Sequence, residues 1–328
     1  MQSVLVTGAN GFVGSELVRQ LRDAGKQVTA LVHQTSQSND SCFEVDVVDS
    51  AKLESALAGR SFDCIMHLAS LPGDTGDPKQ MIQVNVQGCL NLLEFARKSQ
   101  VKRFVLASSI SAYEWYPGTK FQQPDYLPVD EKHPCRPKDI YSSSKRMQEL
   151  LALTYRHQYG LESTVLRLTA VVGPNGRGGG RGWQEFAQKL AEGKRVQIPH
   201  FSLEEVCHYV DLRDVGRMFI VAGEHSRAAG EIFNCCGPAP TRGGEFVQIV
   251  KKLIPSIEVD CGFPWSMAQG NEVYFDMSKA KELLAFEPAY GLADSIKSIK
   301  DWIDAGGLAN SREGGNLPYL AGVGTSDS

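Results

Sequence analysis

Val4-Leu5-Val6-Thr7-Gly8-Ala9-Asn10-Gly11-Phe12-Val13-Gly14 decides the fold. A β-branched run passes through three glycines straight into a segment with Val13, Leu17 and Leu21 at helical spacing. Glycines at 8, 11 and 14 permit a tight turn, close approach of backbone N–H groups to a phosphate pair, and tight packing of helix on strand. The helix N-terminus adds the positive end of its dipole. Any tight turn favours glycine, but a triplet after a strand, before a helix and at the chain start predicts dinucleotide binding. The expected contacts are Gly8, Asn10, Gly11, Phe12, Val13 and Gly14.

Outward from that loop, short β-branched runs alternate with helical periods. Val4 to Thr7, Gln27 to Val32, Phe43 to Val47, Cys64 to Leu68, Phe104 to Ala107 and Thr164 to Leu168 read as six strands. Ile82, Val86, Leu90, Leu93 and Ala96 mark a helix face between them. The fold class is therefore α/β, a Rossmann doubly wound parallel sheet with a smaller C-terminal α/β substrate-binding region. The dinucleotide-binding domain is expected over 1–171, with 206–236 returning to it. The substrate region takes 172–205, opening on the glycine-rich stretch from Gly173 to Gly182, and 237–305. Residues 306–328 have little apolar period and read as a disordered tail.

With 328 residues and 42% hydrophobic content, the chain has material for a sizeable core. Its net charge of −4, from 34 basic and 38 acidic residues of mixed sign, offers no stripe for a nucleic-acid backbone. No run reaches the roughly 20 apolar residues of a membrane span, and the start has no basic lead, so a cytoplasmic location is expected. The eight cysteines include no Cys-x-x-Cys pair and read as reduced, mostly buried thiols. The seven histidines show no ligand spacing, and no metal is expected.

The second strand ends in Leu31-Val32-His33-Gln34, where an Asp or Glu would grip the ribose of NAD. No Arg or Lys between residues 27 and 51 is present to bind a 2'-phosphate, so the choice between NAD and NADP stays open. His33, Asp46 and Val47 are the candidate adenosine contacts; Asp46 is placed to meet the adenine amino group.

Tyr141-Ser142-Ser143-Ser144-Lys145 puts a phenol and an ammonium one helical turn apart, with Met147, Leu150, Leu151 and Thr154 marking the helix. A phenol with a pKa near ~10 is a poor base at neutral pH, and the neighbouring ammonium stabilises the phenolate. Phe104-Val105-Leu106-Ala107-Ser108-Ser109 is read as a buried strand delivering two serines into the ligand crevice at its carboxyl end. A hydroxyl there can hydrogen-bond a substrate oxygen while Tyr141 exchanges its proton.

With these residues the chain resembles an extended short-chain dehydrogenase/reductase of the NAD-dependent epimerase/dehydratase family. The matching features are Gly8-x-x-Gly11-x-x-Gly14, His67-Leu68-Ala69, Asn85-Val86-x-Gly88, Ser108-Ser109-x-x-x-Tyr113, Tyr141-x-x-x-Lys145, Arg167-Leu168 with Gly173-Pro174, and Ser278-Lys279-Ala280. The resemblance implies Tyr141 as acid/base, Ser109 as hydroxyl donor and Lys145 holding the nicotinamide ribose. It further implies cofactor contacts from Leu68, Ala69, Ser70, Asn85, Ala107, Ser108 and Leu168, and a homodimer through the helices flanking Asn85 and Tyr141.

Departures from the family pattern narrow the chemistry. Ile110 and Ser111 stand where the resemblance calls for the Asp-Glu pair of a dehydratase. Ala170 and Cys207 stand where it calls for the Asn and Arg that clamp a sugar-nucleotide diphosphate. Arg177, Arg181 and Arg195 are alternative phosphate ligands, and Ser111, Tyr113 and Trp183 are candidate substrate contacts. The expected function is hydride transfer at a secondary alcohol or ketone carbon, with a sugar among the candidates. The alternatives are a nucleotide-sugar epimerase and a non-catalytic dinucleotide sensor.

Overall fold

The computed structural model describes residues 1–33, 41–73, 77–113, 124–174, 181–200, 202–262 and 272–307. In chain order come β1 (Ser3–Thr7), α1 (Phe12–Asp23), β2 (Gln27–Val32), β3 (Cys42–Glu44), α2 (Ser50–Ala56), β4 (Cys64–His67) and α3 (Pro78–Met81). A π-helical turn (Ile82–Gln87), α4 (Gly88–Lys98), β5 (Arg103–Ser109), a 3-10 turn (Ile110–Ala112), α5 (Ile140–Tyr159) and β6 (Glu162–Leu168) follow. Next are β7 (Ala170–Val172), α6 (Arg181–Ala191), β8 (Val196–Ile198), β9 (Val206–Cys207), β10 (Tyr209–Asp211), α7 (Leu212–Glu224) and β11 (Ile232–Cys235). The described part ends with β12 (Thr241–Arg242), α8 (Gly243–Leu253), β13 (Val259–Cys261), α9 (Ser278–Leu284) and α10 (Leu292–Asp304).

Seven strands, not six, form the main sheet, in the order β11-β6-β5-β4-β1-β2-β3 with every pairing parallel. The seventh, β11, is only four residues long and is held by pairing with β6, a long-range contact that local pattern does not show. β3 stops at Glu44, because Asp46 folds into a turn whose carboxylate accepts the Val48 N–H at 3.0 Å. Val4, Leu5 and Val6 are fully buried, as a sheet covered on both faces requires. One core cluster packs α1, α7 and α9 on one face, and another packs α2, α4 and α5 on the other. A third gathers α6, α8, α10 and β8 around Trp183, Phe186 and Phe246.

Two helix readings need correction. Three of the four residues that mark α5 in the sequence lie on its outer side: Met147 is 44% and Leu150 49% exposed, and Thr154 is also exposed, while Leu151 packs against the second core cluster. Its inner face is polar over the first half, with Ser142, Ser144, Lys145, Gln148 and Glu149 buried, and apolar beyond, where Ala152 and Tyr155 join that cluster. Before α4, the wider π turn adds a residue to the repeat and rotates the face. Asn85 and Cys89 therefore point inward, while Ile82, Val86 and Leu90 are only half-buried. Among the described residues no helix is long and apolar enough to cross a membrane. All eight cysteines are free thiols, five of them buried.

Candidate active site

The sheet order reverses between β1 and β4, and the crevice beyond their carboxyl ends is where such sheets take ligands. Thr7 ties the two ends together. Its hydroxyl oxygen accepts the N–H groups of Leu68 and Ala69 at 3.2 and 3.1 Å, and it lies 2.7 Å from His67 Nδ1. Burial, with some repulsion from Lys145, pushes His67 down to about 3, so the ring is neutral and structural.

Gly8 sits at φ +64, in the left-handed region, and a Cβ there would lie 2.9 Å from the Ala69 nitrogen. A Cβ on Gly14 would lie 2.1 Å from the Gly8 carbonyl oxygen. Gly11 is the N-cap of α1 and supplies no side-chain cap to its first N–H groups. These features fit a dinucleotide pyrophosphate: only glycines leave the space, and the uncapped helix start leaves backbone donors for an anion. Phe12, Val13 and Asn10 border this turn half-buried, and Phe12 packs against the third core cluster. Leu68, Ala69 and Ser70 line the adjoining end of β4, and Leu168 ends β6 beside Ser109.

Ser109 ends β5 and caps the 3-10 turn after it. Its Oγ accepts the Ser111 N–H at 3.1 Å and the Ser111 hydroxyl at 2.9 Å. With both lone pairs engaged, its own proton remains to donate. Lys145 is 4% exposed, and its Nζ donates to the Ala107 carbonyl at 3.0 Å, 5.8 Å from the centroid of the Tyr141 ring. Burial pushes its ammonium down to about 8. The ammonium thus sits between the Tyr141 ring on the first turn of α5 and the strand whose end carries Ser109. That arrangement can hold a substrate oxygen and move a proton to or from it.

Beneath them lies a buried charge cluster that the sequence reading did not single out. The Glu149 carboxylate, fully buried, accepts from Ser108 Oγ at 2.6 Å and from Arg167 Nε and Nη2 at 2.9 and 2.8 Å. Arg146 donates to it at 2.9 Å. The signal was present, since Tyr141, Lys145 and Glu149 recur every four residues along one helix face.

Several predicted contacts are placed elsewhere. Ser108 turns its hydroxyl to Glu149, away from the crevice, because neighbouring strand residues point to opposite faces. Asn85 is fully buried: its Oδ1 accepts the Leu71 N–H at 2.7 Å, and its Nδ2 donates to Ser144 Oγ at 2.9 Å. Its side chain shapes the loop after β4 and has no face left for a cofactor. Tyr113, also fully buried, donates to Asn234 Oδ1 at 2.7 Å beneath the Arg167 guanidinium, so it cannot stack a substrate ring. Trp183, 2% exposed, packs on Phe186, Tyr209 and Phe246 on the apolar face of α6. Ser111 is buried behind Ser109 and serves it rather than a substrate.

His33 and Asp46 are exposed neighbours, 3.8 Å apart at the ends of β2 and β3. Val47 is buried and offers its carbonyl to Asn91. Ala170 and Cys207 are buried in short paired strands and present no polar group to an anion. Arg195 is committed to Asp260 at 2.6 Å. Arg177 lies outside the described residues, as does the side chain of Arg181.

Comparison with known proteins agrees with this geometry. Residues 4–236 match the NAD dependent epimerase/dehydratase family. A UDP-glucuronate 4-epimerase of Thermodesulfobacterium geofontis is 27% identical, over 91% of this chain and 95% of that protein. The structure of a UDP-glucose 4-epimerase from Thermotoga maritima with UDP-glucose superposes with a TM-score of 0.77 at 25% identity, covering 92% of this chain and 99% of that one. A Thermus thermophilus UDP-glucose 4-epimerase in complex with NAD gives 0.75 at 25% identity, over 93% and 100%. With a matching sequence, a seven-stranded parallel sheet and a glycine cradle at its switch point, the chain belongs to the NAD-dependent epimerase/dehydratase family.

Proposed function

We propose that this enzyme transfers hydride at a secondary alcohol or ketone carbon of a small polar substrate, with Tyr141 moving the proton. NAD, where bound, would supply the hydride acceptor and donor. Tyr141 Oη takes the proton from the substrate hydroxyl on oxidation and gives it back on reduction. Ser109 donates to the same oxygen, and the Lys145 ammonium stabilises the phenolate and would hold the nicotinamide ribose. Gly8, Gly11 and Gly14 would hold the pyrophosphate, and His33 and Asp46 the adenosine. The observation that supports this reading is that the Lys145 ammonium, bonded to the Ala107 carbonyl two residues before Ser109, lies beside the Tyr141 ring.

A nucleotide-sugar 4-epimerase is the second reading, favoured by the names of the relatives. Ala170 and Cys207 weigh against it, as buried apolar groups where a diphosphate would need donors. The proposal takes the substrate region to be built around the third core cluster. The free thiols suit a reducing, cytoplasmic setting, and a homodimer through α4 and α5 is part of the proposal.

The test is a spectrophotometric screen of purified protein with NAD(H) and NADP(H) against ketones, secondary alcohols and UDP-sugars. Net change in nicotinamide absorbance supports the first reading. A new epimer without net change supports the second. Tight cofactor binding with neither outcome across the panel would leave a sensor and overturn both.

A further inference from the structure

Glu149 is costly to bury, and the fold makes it a hub. Burial pushes its carboxyl up, but the Arg167 fork, the Ser108 hydroxyl and Arg146 together hold it below its ordinary value, so it is ionised. Its two oxygens take four donors from three elements: Ser108 on β5, Arg167 on β6 and Arg146 on α5. Arg167 also reaches Cys135 Sγ at 3.1 Å and covers the Tyr113 ring at 4.4 Å, which fixes its own position. Ser108 directly precedes Ser109, and Glu149 lies one helical turn beyond Lys145 and two beyond Tyr141.

The groups around Lys145 show which of them carries charge. From β4 comes His67, neutral in the working range because burial holds it at about 3. From α4 comes Cys89, whose thiol burial pushes up to about 12, so it is protonated and brings no charge. From β5 comes the Ala107 carbonyl, and α5 itself brings Tyr141 and Glu149. Among these, Glu149 is the one anion present at neutral pH.

We propose that Glu149 is a positioning residue for this site: locked by Ser108 and Arg167 beneath the strand that carries Ser109, it sets the register of α5 against β5, and its charge keeps the buried Lys145 ammonium protonated. This rests on the reading that Lys145 meets the bound dinucleotide. A change at Glu149 should therefore be felt one turn away, as a change in the pH at which Lys145 loses its proton.

The measurement is NADH affinity by fluorescence from pH 6 to 10, which needs no substrate. The full-length protein should bind about tenfold more weakly at the alkaline end, as a charge-assisted hydrogen bond is lost. Lys145→Met should bind weakly at every pH and lack that step. Glu149→Gln should move the step down by about one pH unit. Arg167→Met removes the main partner that keeps the same buried carboxylate ionised, so the carboxyl takes up a proton more readily and the step should move down as well. A merely structural role would weaken binding in both variants without lowering the step. Because Glu149→Gln leaves the buried Arg167 guanidinium and the half-buried Arg146 short of a partner, circular dichroism must first show that it folds; if it does not, the downward shift in Arg167→Met decides. An unmoved or raised step in either folded variant, or a step that persists in Lys145→Met, would overturn the proposal. Absence of NADH binding in the unmodified protein would instead count against the dinucleotide reading.

Discussion

Tyr141 carries the least replaceable role among single residues. Tyr141→Phe keeps the ring and removes one oxygen, so folding and NAD affinity should survive while turnover falls by about two to four orders of magnitude. Ser109→Ala should cost less, since a hydrogen bond to the substrate oxygen is smaller than the proton carrier. Steady-state kinetics on the substrate found by the screen, with cofactor titration alongside, checks both; near-normal turnover in Tyr141→Phe would refute the role. Lys145 sets a pH expectation with a definite sign. Its folded value is depressed to about 8 from 10.5, so the ammonium is lost as pH rises through 8, and turnover should fall above that point. From about 8 to 10.5 the unfolded chain holds more protons at this residue, so its contribution to stability rises over the same window. A falling rate with no fall in thermal midpoint separates deprotonation at the site from unfolding.

At the scale of elements, what was legible follows from which forces are local. The glycine loop and the buried strands are written in consecutive residues: Gly8 needs its left-handed φ, and Val4 to Val6 need apolar cover on both faces. The Tyr141 and Lys145 spacing was equally readable, yet the orientation of α5 was not, because Met147 and Leu150 face outward while the buried face of its first half is satisfied by Glu149 and Ser144 bonds made across the fold. Strand alternation would have separated Ser108 from Ser109, and the pair was nonetheless read as one unit. Asn85 was hidden for another reason: the π turn that buries it has no simple periodic signature. Its amide joins Leu71 in the loop after β4 to Ser144 on α5, so Asn85→Ala leaves partly buried groups short of partners. The variant should lose about 1–3 kcal/mol per group left unpaired. Denaturant unfolding measures this, and a loss below about 0.5 kcal/mol would show that the amide is not a structural tie.

For the whole molecule, the unspent apolar surface is the outstanding feature. Of the six large hydrophobic side chains left exposed among the described residues, four lie on α5: Ile140 at 37%, Met147 at 44%, Leu150 at 49% and Tyr159 at 48%. Met147 and Leu150 are three residues apart and Ile140 is seven before Met147, so these three share one stripe. Half-buried Val86 and Leu90 belong to the neighbouring π turn and α4. An apolar helix stripe that faces away from the buried side of its own helix is not serving its own core, and a second copy of the same surface would cover it. Light scattering coupled to size exclusion should therefore give a dimer for the unmodified chain. Met147→Glu with Leu150→Glu should give a monomer with unchanged circular dichroism, because neither side chain supports the interior and four carboxylates in one two-fold interface would repel. NADH affinity should change by less than about threefold, since Lys145 and Glu149 point to the other side of the helix. A monomeric unmodified protein at micromolar concentration, or a double variant that still dimerises, would remove α5 as the self-association surface.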